Sequence, residues 1–528
     1  MILGTMLIFM KKSFLKEFES PPNQYRGMPL WLWNGKLDPD ELRRQMRLLR
    51  DMGMGGIQQF TGNGLDTVYL SDDWMACIEA CLEEAEKLDM QVWLYDEDRW
   101  PSGYAGGLVT RNPKYRRRSL VLLEITDVRR LSWDKDVLAA FTAKIDGTSA
   151  TGVRRLARGK RPKRLAKDER ILVFGVEVDA PGTNYNGQTY VDTMNRDAIA
   201  RFIELTHEAY RKRLGAHFGK RLRGFFTDEP THGKISVARD DGTTATAWTD
   251  KLPAIFRKRY GYDLVARLPE LFFDLAGQDV SAARYHYHDC ITHLFVDAFA
   301  RQLGEWCVKN GTQLSGHAAI SVGTLAVQTR EIGSYLRFLE HQQVPAMDIL
   351  TEYRRSYDTA KLVSSAARQF GRKWRLSETY GCVGWAFPFA GHKAVCDWQA
   401  AMGINMRAPH LAWYTMEGKA KRDYPQCISY QSAWWPYYRK VEDYFGRVNA
   451  VMSRGQDVRD LLVIHANESM WTLFNRNGEN DAGVIAYDRM FGALRDSLLI
   501  ENIDFDYGDE DILARHGKTG KSGGTAVL

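Results

Sequence analysis

Eight short apolar runs, separated by stretches long enough for helices, constrain this chain more than any other feature. They fall at residues 28–33, 57–60, 91–95, 222–226, 313–315, 346–350, 374–376 and 408–413. Consecutive parallel strands need a crossover of a dozen or more residues, usually a helix, and most of the intervening segments carry helical periodicity. Asp38 stands as an N-cap before a helix whose Leu42, Met46 and Leu49 recur at helical spacing, and Gly53, Gly55 and Gly56 end it. Ser71 plays the same part for a second helix that runs to Leu88. Eight βα units are the number that closes a barrel, so the fold class read from the pattern is α/β, a (β/α)8 TIM barrel. An aromatic-rich helix over about 432–452 would seal it.

Two stretches break the rhythm. Between about 113 and 181, β-branched runs at 119–125 and 171–178 are separated by basic, Gly-containing loops, which reads as a small β insertion. After Gly455, a buried strand over 460–465 and a helix over about 487–498 read as the start of a C-terminal Rossmann-like α/β unit. The domain reading is an N-terminal extension at 1–24, a catalytic barrel at 25–455, and a partial, truncated α/β domain at 456–528. Residues 1–10 are apolar but too short to span a bilayer, and Lys11 and Lys12 follow the apolar run, so they read as an extension upstream of a start at Met10.

Composition narrows the chemistry. With 44% hydrophobic and 26% charged residues, a large core is available. A net charge of +6 over 528 residues is small, and the basic clusters at 116–118 and 154–167 lack interleaved aromatics. They read as solvated surface, with no nucleic-acid or membrane partner expected. The 15 Trp and 24 Tyr exceed the needs of a core, and flat aromatic faces suit sugars, so an oligosaccharide or glycoside is the expected partner. Seven scattered cysteines without zinc-site spacing fit a reducing, cytoplasmic compartment, and Cys77 and Cys81 read as small buried apolar residues. The sequence holds no P-loop or dinucleotide fingerprint, and it leaves the oligomeric state open.

Active sites on such barrels lie at the C-terminal ends of the strands. There the chain places Trp31, Trp33 and Asn34; Tyr95, Asp96, Glu97, Asp98 and Trp100; Asp228 and Glu229; His317; Asp348 and Glu352; Glu378 and Tyr380; and His410, Trp413 and Tyr414. Glu229 follows two aromatics in Gly-Phe-Phe-Thr-Asp-Glu-Pro, and a carboxyl against apolar walls holds its proton more tightly, as a general acid near neutral pH must. Glu378 ends the seventh strand, and the two form a candidate catalytic pair. A spacing of about 5 to 5.5 Å between them would give retention and about 6.5 to 9.5 Å inversion. Asp96, Glu97 and Asp98 suit either a hard cation such as Ca²⁺, sugar hydroxyls or surface salt bridges. His317 and His410 suit orientation of a carboxylate or a place in the core, and Trp31, Trp33, Trp385, Trp434 and Trp435 suit a sugar platform or core packing.

These residues sit in longer strings that resemble the α-L-rhamnosidase-like glycoside hydrolases, large multidomain bacterial enzymes with a catalytic (β/α)8 barrel. The strings are Trp-Leu-Trp-Asn-Gly (31–35), Leu-Tyr-Asp-Glu-Asp-Arg-Trp-Pro-Ser-Gly (94–103), Phe-Phe-Thr-Asp-Glu-Pro (225–230), Ser-Gly-His (315–317), Ser-Glu-Thr-Tyr-Gly (377–381) and Lys-Arg-Asp-Tyr-Pro (421–425). The resemblance covers most of residues 25–510. It implies a Glu at the end of strand four as acid and a Glu at the end of strand seven as its partner, which match Glu229 and Glu378. It also implies inversion and calcium for members of rhamnosidase type, and a Rossmann-like domain after the barrel. The rival readings are a non-catalytic sugar-binding barrel and a barrel lyase or isomerase; for the latter no Schiff-base Lys or phosphate site stands at a strand end.

Overall fold

A computed structural model describes residues 14–319, 323–351 and 355–518, and the backbone of 520–522 and 525–527. The apolar residues 1–10, Lys11, Lys12 and Glu352 lie outside the described residues. Eight parallel strands form a closed barrel: β1 (Leu30–Gly35), β2 (Gly56–Leu65), β3 (Gln91–Tyr95), β4 (Leu222–Asp228), β5 (Gln313–His317), β6 (Val344–Asp348), β7 (Leu376–Thr379) and β8 (Met406–Trp413). Each pairs with the next in the chain, and β8 returns to β1 through Leu30 opposite His410 and Leu32 opposite Trp413. Asp38 and Ser71 cap the helices Pro39–Asp51 and Asp72–Leu88, accepting hydrogen bonds from the backbone of Glu41 and Trp74.

Side chains alternate along a strand, so each contributes one row to the barrel interior and one to the helical shell. The interior is filled by Leu30, Leu32, Phe60, Trp93, Tyr95, Phe226, Ala346, Leu376 and Met406, among others. The other row packs under the helices. Trp31 and Trp33 belong to this outer row, which corrects their expected place in a sugar platform. Both are fully buried; Trp31 Nε1 donates to Gln45 Oε1 at 3.2 Å, and Trp33 meets Trp74 edge-on at 5.1 Å.

The β-rich stretch supplies Arg118–Ile125, Val137–Asp146, Ser149–Arg155 and Glu169–Val178 to a separate seven-stranded sheet. Its other strands, Val237–Ala238, Thr244–Trp248 and Asp274–Leu275, come from the connection between β4 and β5, so two barrel loops build one sheet. Beyond the barrel, Leu461–Ile464 pairs in parallel with Phe505–Gly508 across the helix Ala482–Ile500, a small parallel α/β unit. The strand expected to be buried at 460–465 is not: Leu461 and Ile464 are exposed, because the sheet has two strands and Phe491 covers Tyr507 and His465 from one side. Arg337, buried on a short barrel helix, holds this unit through Asp509 and Glu468. No helix among the described residues is long and apolar enough to cross a membrane; no disulfide joins any of the cysteines, of which Cys382 alone is exposed.

The helix Arg439–Met452 covers the seam. Its fully buried Glu442 accepts from Arg407 of β8 at 2.7 Å and from the backbone N–H of Gly27 at 2.7 Å. Removing one partner of a buried ion pair leaves the other charge uncompensated, which costs about 3 to 5 kcal/mol. Glu442→Ala should therefore lower the unfolding free energy by about that amount in urea titration, where a loss below about 1 kcal/mol would show that the seam does not depend on it.

Candidate active site

The inward positions nearest the C-terminal ends of β4 to β7 are Asp228, His317, Asp348 and Glu378, joined by His410 of β8. Register makes them neighbours: His317 lies opposite Asp228, and Asp348 opposite Glu378. Gly316 allows the first approach. At φ +120° a Cβ there would lie 1.9 Å from the Thr227 carbonyl oxygen, so glycine alone lets β5 close on β4. His317 Nε2 lies 3.0 Å from Asp228 Oδ1 and 3.9 Å from Asp348 Oδ2, while its Nδ1 lies 3.9 Å from Glu378 Oε2. His410 Nε2 is 3.8 Å from Glu378 Oε1, and the Tyr95 hydroxyl donates to Asp228 Oδ2 at 2.9 Å.

Glu229 follows an inward residue, and continued extended backbone would send it to the helical shell. Its φ of +46° breaks the alternation, and its N–H donates to the His317 carbonyl at 2.9 Å, pinning the turn. Left-handed backbone is strained for a non-glycine residue and concentrates at functional sites. The turn opens the Glu229 side chain onto the same cavity as Asp228, Asp348, Glu378 and His410. This cavity holds about 480 Å³, and Phe60, Trp100, Tyr185 and Tyr424 give it aromatic walls.

The segment after β3 is held as a preformed wall. Glu97 accepts five backbone N–H groups, from Asp98, Gly103, Tyr104, Ala105 and Gly106, at 2.6 to 3.0 Å. Ser102 exchanges two bonds with Asp228, its N–H donating to the Asp228 carbonyl at 2.7 Å and its Oγ accepting the Asp228 N–H at 2.9 Å. The same hydroxyl donates to Asp96 Oδ1 at 2.6 Å. Asp98 accepts from Asn186 at 2.7 Å. The three consecutive acids thus serve three different partners, and the expected shared cation or sugar contact at Asp96 and Glu97 gives way to loop organisation.

Burial governs the electrostatics of the floor. It raises Glu229 to about 8, helped by the charges of Asp228 and Asp348. Glu378 is pushed well above the carboxylate range by burial first and then by Asp348, Asp228 and Glu229. Burial alone would lower His317, but its hydrogen bond to Asp228 and the surrounding carboxylates outweigh that and raise it to about 9, so it is an imidazolium at neutral pH. Burial lowers His410 to about 4, leaving it neutral. Among the described residues, Glu378 Oε2, His317 Nδ1 and His410 Nδ1 are buried without a hydrogen-bond partner, as expected of groups that face a ligand.

Other expected site residues are elsewhere. Asn34 clasps Thr415, joining the ends of β1 and β8. Tyr380, turned by a φ of +74°, donates to the His392 carbonyl in the helical shell. Tyr414 is buried there too, its hydroxyl accepting the Asp38 N–H. Trp385 is 42% exposed and donates to the Lys421 carbonyl outside the cavity lining, and Trp434 packs on Phe389 and His392. For Tyr380 the reason is the left-handed turn just beyond the end of β7, which an apolar run does not encode.

Residues 174–517, more than half of the chain, match the family model described as alpha-L-rhamnosidase. The chain belongs to the alpha-L-rhamnosidase family. A rhamnosidase from Novosphingobium sp. PP1Y is similar in structure, with a TM-score of 0.62 at 14% identity over 85% of this chain and 61% of that one. A catalytic mutant of a GH42 beta-galactosidase from G. stearothermophilus follows at a TM-score of 0.51 and 11% identity, over 94% of this chain and 67% of that one. A Formosa agariphila protein provisionally named a beta-glucuronidase is 21% identical over 87% of this chain. The rhamnosidase-family chain spans 43% of the length of that relative.

The calcium implied by the resemblance has a better match at the barrel floor than at residues 96–98. Two groups, Asp228, His317 and Glu378, and Glu229, His317 and Asp348, each bring three ligand atoms within 4.8 Å of one another. Their carboxylates are hard donors, and Glu378 Oε2 is orphaned, so the residues fit a divalent cation. Sequence reasoning on this rhamnosidase-family chain did not reach Phe60, Arg99, Tyr185, Lys419, Asp423 or Tyr424, all of which line the cavity. Asp423 and Tyr424 stand in one of the family-like strings and were available from it; Tyr185 comes from the loop after the strand Glu169–Val178, and no strand-end rule points there.

A buried hydrogen bond contributes about 0.5 to 1.5 kcal/mol, and an amide offers one accepting oxygen where the Glu97 carboxyl uses two. Glu97→Gln should loosen the segment 98–106, speeding its cleavage in limited proteolysis and raising KM more than it lowers kcat. Unchanged protease sensitivity would remove Glu97 from the wall.

Proposed function

We propose that this protein is a glycoside hydrolase acting by a two-carboxylate mechanism on an α-L-rhamnoside or a related plant or bacterial glycan. The observation that carries the reading is that Glu229 and Glu378, from β4 and β7, open onto one aromatic-walled cavity. Glu229, protonated at neutral pH, donates its proton to the leaving glycosidic oxygen. Glu378 either takes a proton from an attacking water or attacks the anomeric carbon itself, and either role requires its ionised form. His317 and His410, each within 4 Å of a Glu378 oxygen, are placed to steady that charge. A divalent cation held by Asp228, Glu378 and His317, the last giving up its proton to bind, would supply positive charge that favours the ionised form of Glu378 and leaves the acid role to Glu229.

The family description and the Novosphingobium structure support rhamnose as the sugar, and the name of the Formosa relative makes a β-glucuronide the comparison substrate. The protein should release phenol from an aryl α-L-rhamnoside faster than from the matching β-D-glucuronide. Loss of an acid or base typically lowers turnover by about 10² to 10⁴-fold. Glu229→Gln and Glu378→Gln should each do so with unchanged thermal unfolding; a Glu378→Gln enzyme keeping most of its activity would remove that residue from the mechanism.

The pH dependence follows from the raised Glu229. The acid form is present below its folded value and lost as pH rises through about 8, so kcat/KM should fall on the alkaline side near there. An aryl substrate with a leaving group that needs no proton should lose that limb. A profile unchanged between the two substrates would show that Glu229 is not the acid.

A further inference from the structure

The seven-stranded sheet carries a charge that the barrel does not share. Residues 129–167 contain twelve of the chain's 72 Lys and Arg and three of its 66 Asp and Glu, a surplus larger than the +6 of the whole protein. The remainder is therefore net acidic. Within this stretch no acid occurs between Asp146 and Asp168, while Arg154, Arg155 and six further basic residues do.

The charge is not consumed internally. Arg154 pairs with Glu169 at 2.6 Å, and Arg155 lies 3.9 Å from Asp263. Arg158 instead donates to the carbonyls of Val137 and Asp134, with its guanidinium over the Trp133 ring, and Arg161 donates to the Leu131 carbonyl. Carbonyl partners fix the direction of a guanidinium without neutralising it. Lys160, Lys163, Arg164 and Lys167 are exposed and have no carboxylate partner among the described residues. Like charges this close repel, and an apposed polyanion relieves that repulsion while releasing its own counterions.

Position ties this surface to the cavity. The basic loop enters the strand Glu169–Val178, and the turn Thr183–Tyr185, which brings Asn184 and Tyr185 to the cavity, lies just beyond the exit of that strand. Ten residues at about 3.3 Å each separate the two by roughly 30 Å. Arg99 and Lys419 add cations to the cavity lining itself.

We propose that the basic loop of the β insertion is a docking surface for an acidic polysaccharide bearing uronate carboxylates, which it holds while a chain end occupies the cavity. This rests on the glycosidase reading for its choice of polymer. Nucleic acid would meet the same charges, but the chain carries no aromatic between Phe141 and Phe174 on which bases would stack, whereas the strand the loop feeds leads to a sugar-sized cavity. Tethering a polymer at one point raises its effective concentration at the other.

The test is direct binding of polygalacturonate, a neutral galactan of similar length and a single-stranded oligonucleotide, measured by affinity electrophoresis from 50 to 200 mM salt. A quadruple variant, Lys160→Gln, Lys163→Gln, Arg164→Gln and Lys167→Gln, removes exposed charges and leaves the anchored Arg158 and Arg161 in place. Polygalacturonate should bind and the galactan should not, with affinity falling at least about tenfold across that salt range. The variant should bind at least about tenfold more weakly, with unchanged thermal unfolding and unchanged hydrolysis of a small aryl glycoside. A sulfated polymer of equal charge density should bind no more tightly than polygalacturonate, and tighter binding of it would overturn the assignment to carboxylates. Equal binding of the galactan, a variant that binds like the parent, or tighter binding of the oligonucleotide would each overturn the proposal. Polyuronate binding without hydrolysis of any glycoside would leave the docking surface standing and remove the glycosidase reading.

Discussion

The hydrogen bonds that return β8 to β1 decide everything at the cavity floor. A closed parallel barrel has no free edge, and closure fixes both the register of every strand and which of its two rows faces inward. With those fixed, Asp228 and His317 become cross-strand neighbours, as do Asp348 and Glu378, although each pair is far apart in sequence. A one-residue slip on any of the four strands would send its polar residue into the helical shell and bring an apolar one to the floor. The buried seam at Glu442, Arg407 and Gly27 sits where β8 and the chain entering β1 meet, so it stabilises the contact on which the rest of the register depends.

The floor that results is short of positive charge. Four carboxyl groups surround one imidazolium, and burial keeps water from screening them. Such a set does not titrate as separate residues: a proton on Glu229 permits ionisation of its neighbours, and the charge of Asp228 is held by both Tyr95 and His317. Division of labour between Glu229 and Glu378 then depends on what compensates charge near each. Glu229 sits at the mouth on a strained turn with acidic neighbours, conditions that favour the protonated form. Glu378 is itself pushed well above the carboxylate range by burial and by Asp348, Asp228 and Glu229, so its ionisation waits on added positive charge, although an imidazole nitrogen lies within 4 Å of each of its oxygens. The Glu97 loop keeps this balance in place by fixing Ser102, which grips Asp228 by its backbone and leaves the carboxylate to His317 and Tyr95.

What was legible in the sequence was what depends on apolar spacing. The eight runs mark the eight strands because a strand buried on both sides must be apolar on both rows. The same property hides the parity: with both rows apolar, nothing in Trp-Leu-Trp-Asn-Gly says whether the tryptophans or the leucine face inward. The strand-end rule found Asp228, Glu229, His317, Asp348, Glu378 and His410, but it could not separate them from Tyr380 or Tyr414, whose direction is set after the regular strand geometry ends. Glu229 shows the same limit from the other side, since simple alternation would have directed it away from the cavity. The acids at 96–98 look like a cation cluster in one dimension and become three separate anchors once the loop folds back on them.

The walls of the cavity follow a different logic from its floor. Floor residues come from strands, whose positions are fixed by the barrel, whereas Trp100, Tyr185, Lys419 and Tyr424 come from the connections. One of those connections has grown into a sheet that also recruits strands from the next βα loop, so its orientation is braced at two points on the barrel mouth. On the proposed reading, bracing matters because a wall that delivers a single aromatic ring to a sugar must be as rigid as the floor. The sheet meets that need through the long antiparallel pairing of Arg118–Ile125 with Glu169–Val178, whose ladder fixes the strand leading to Tyr185. A rigid sheet of this kind can also carry charge on its far loop without disturbing the acidic floor, since about 30 Å far exceeds the screening length of about 8 Å at physiological salt. On the proposed reading, opposite charges can therefore serve one substrate at two places: an acidic floor for proton transfer, and a basic surface beyond its electrostatic reach.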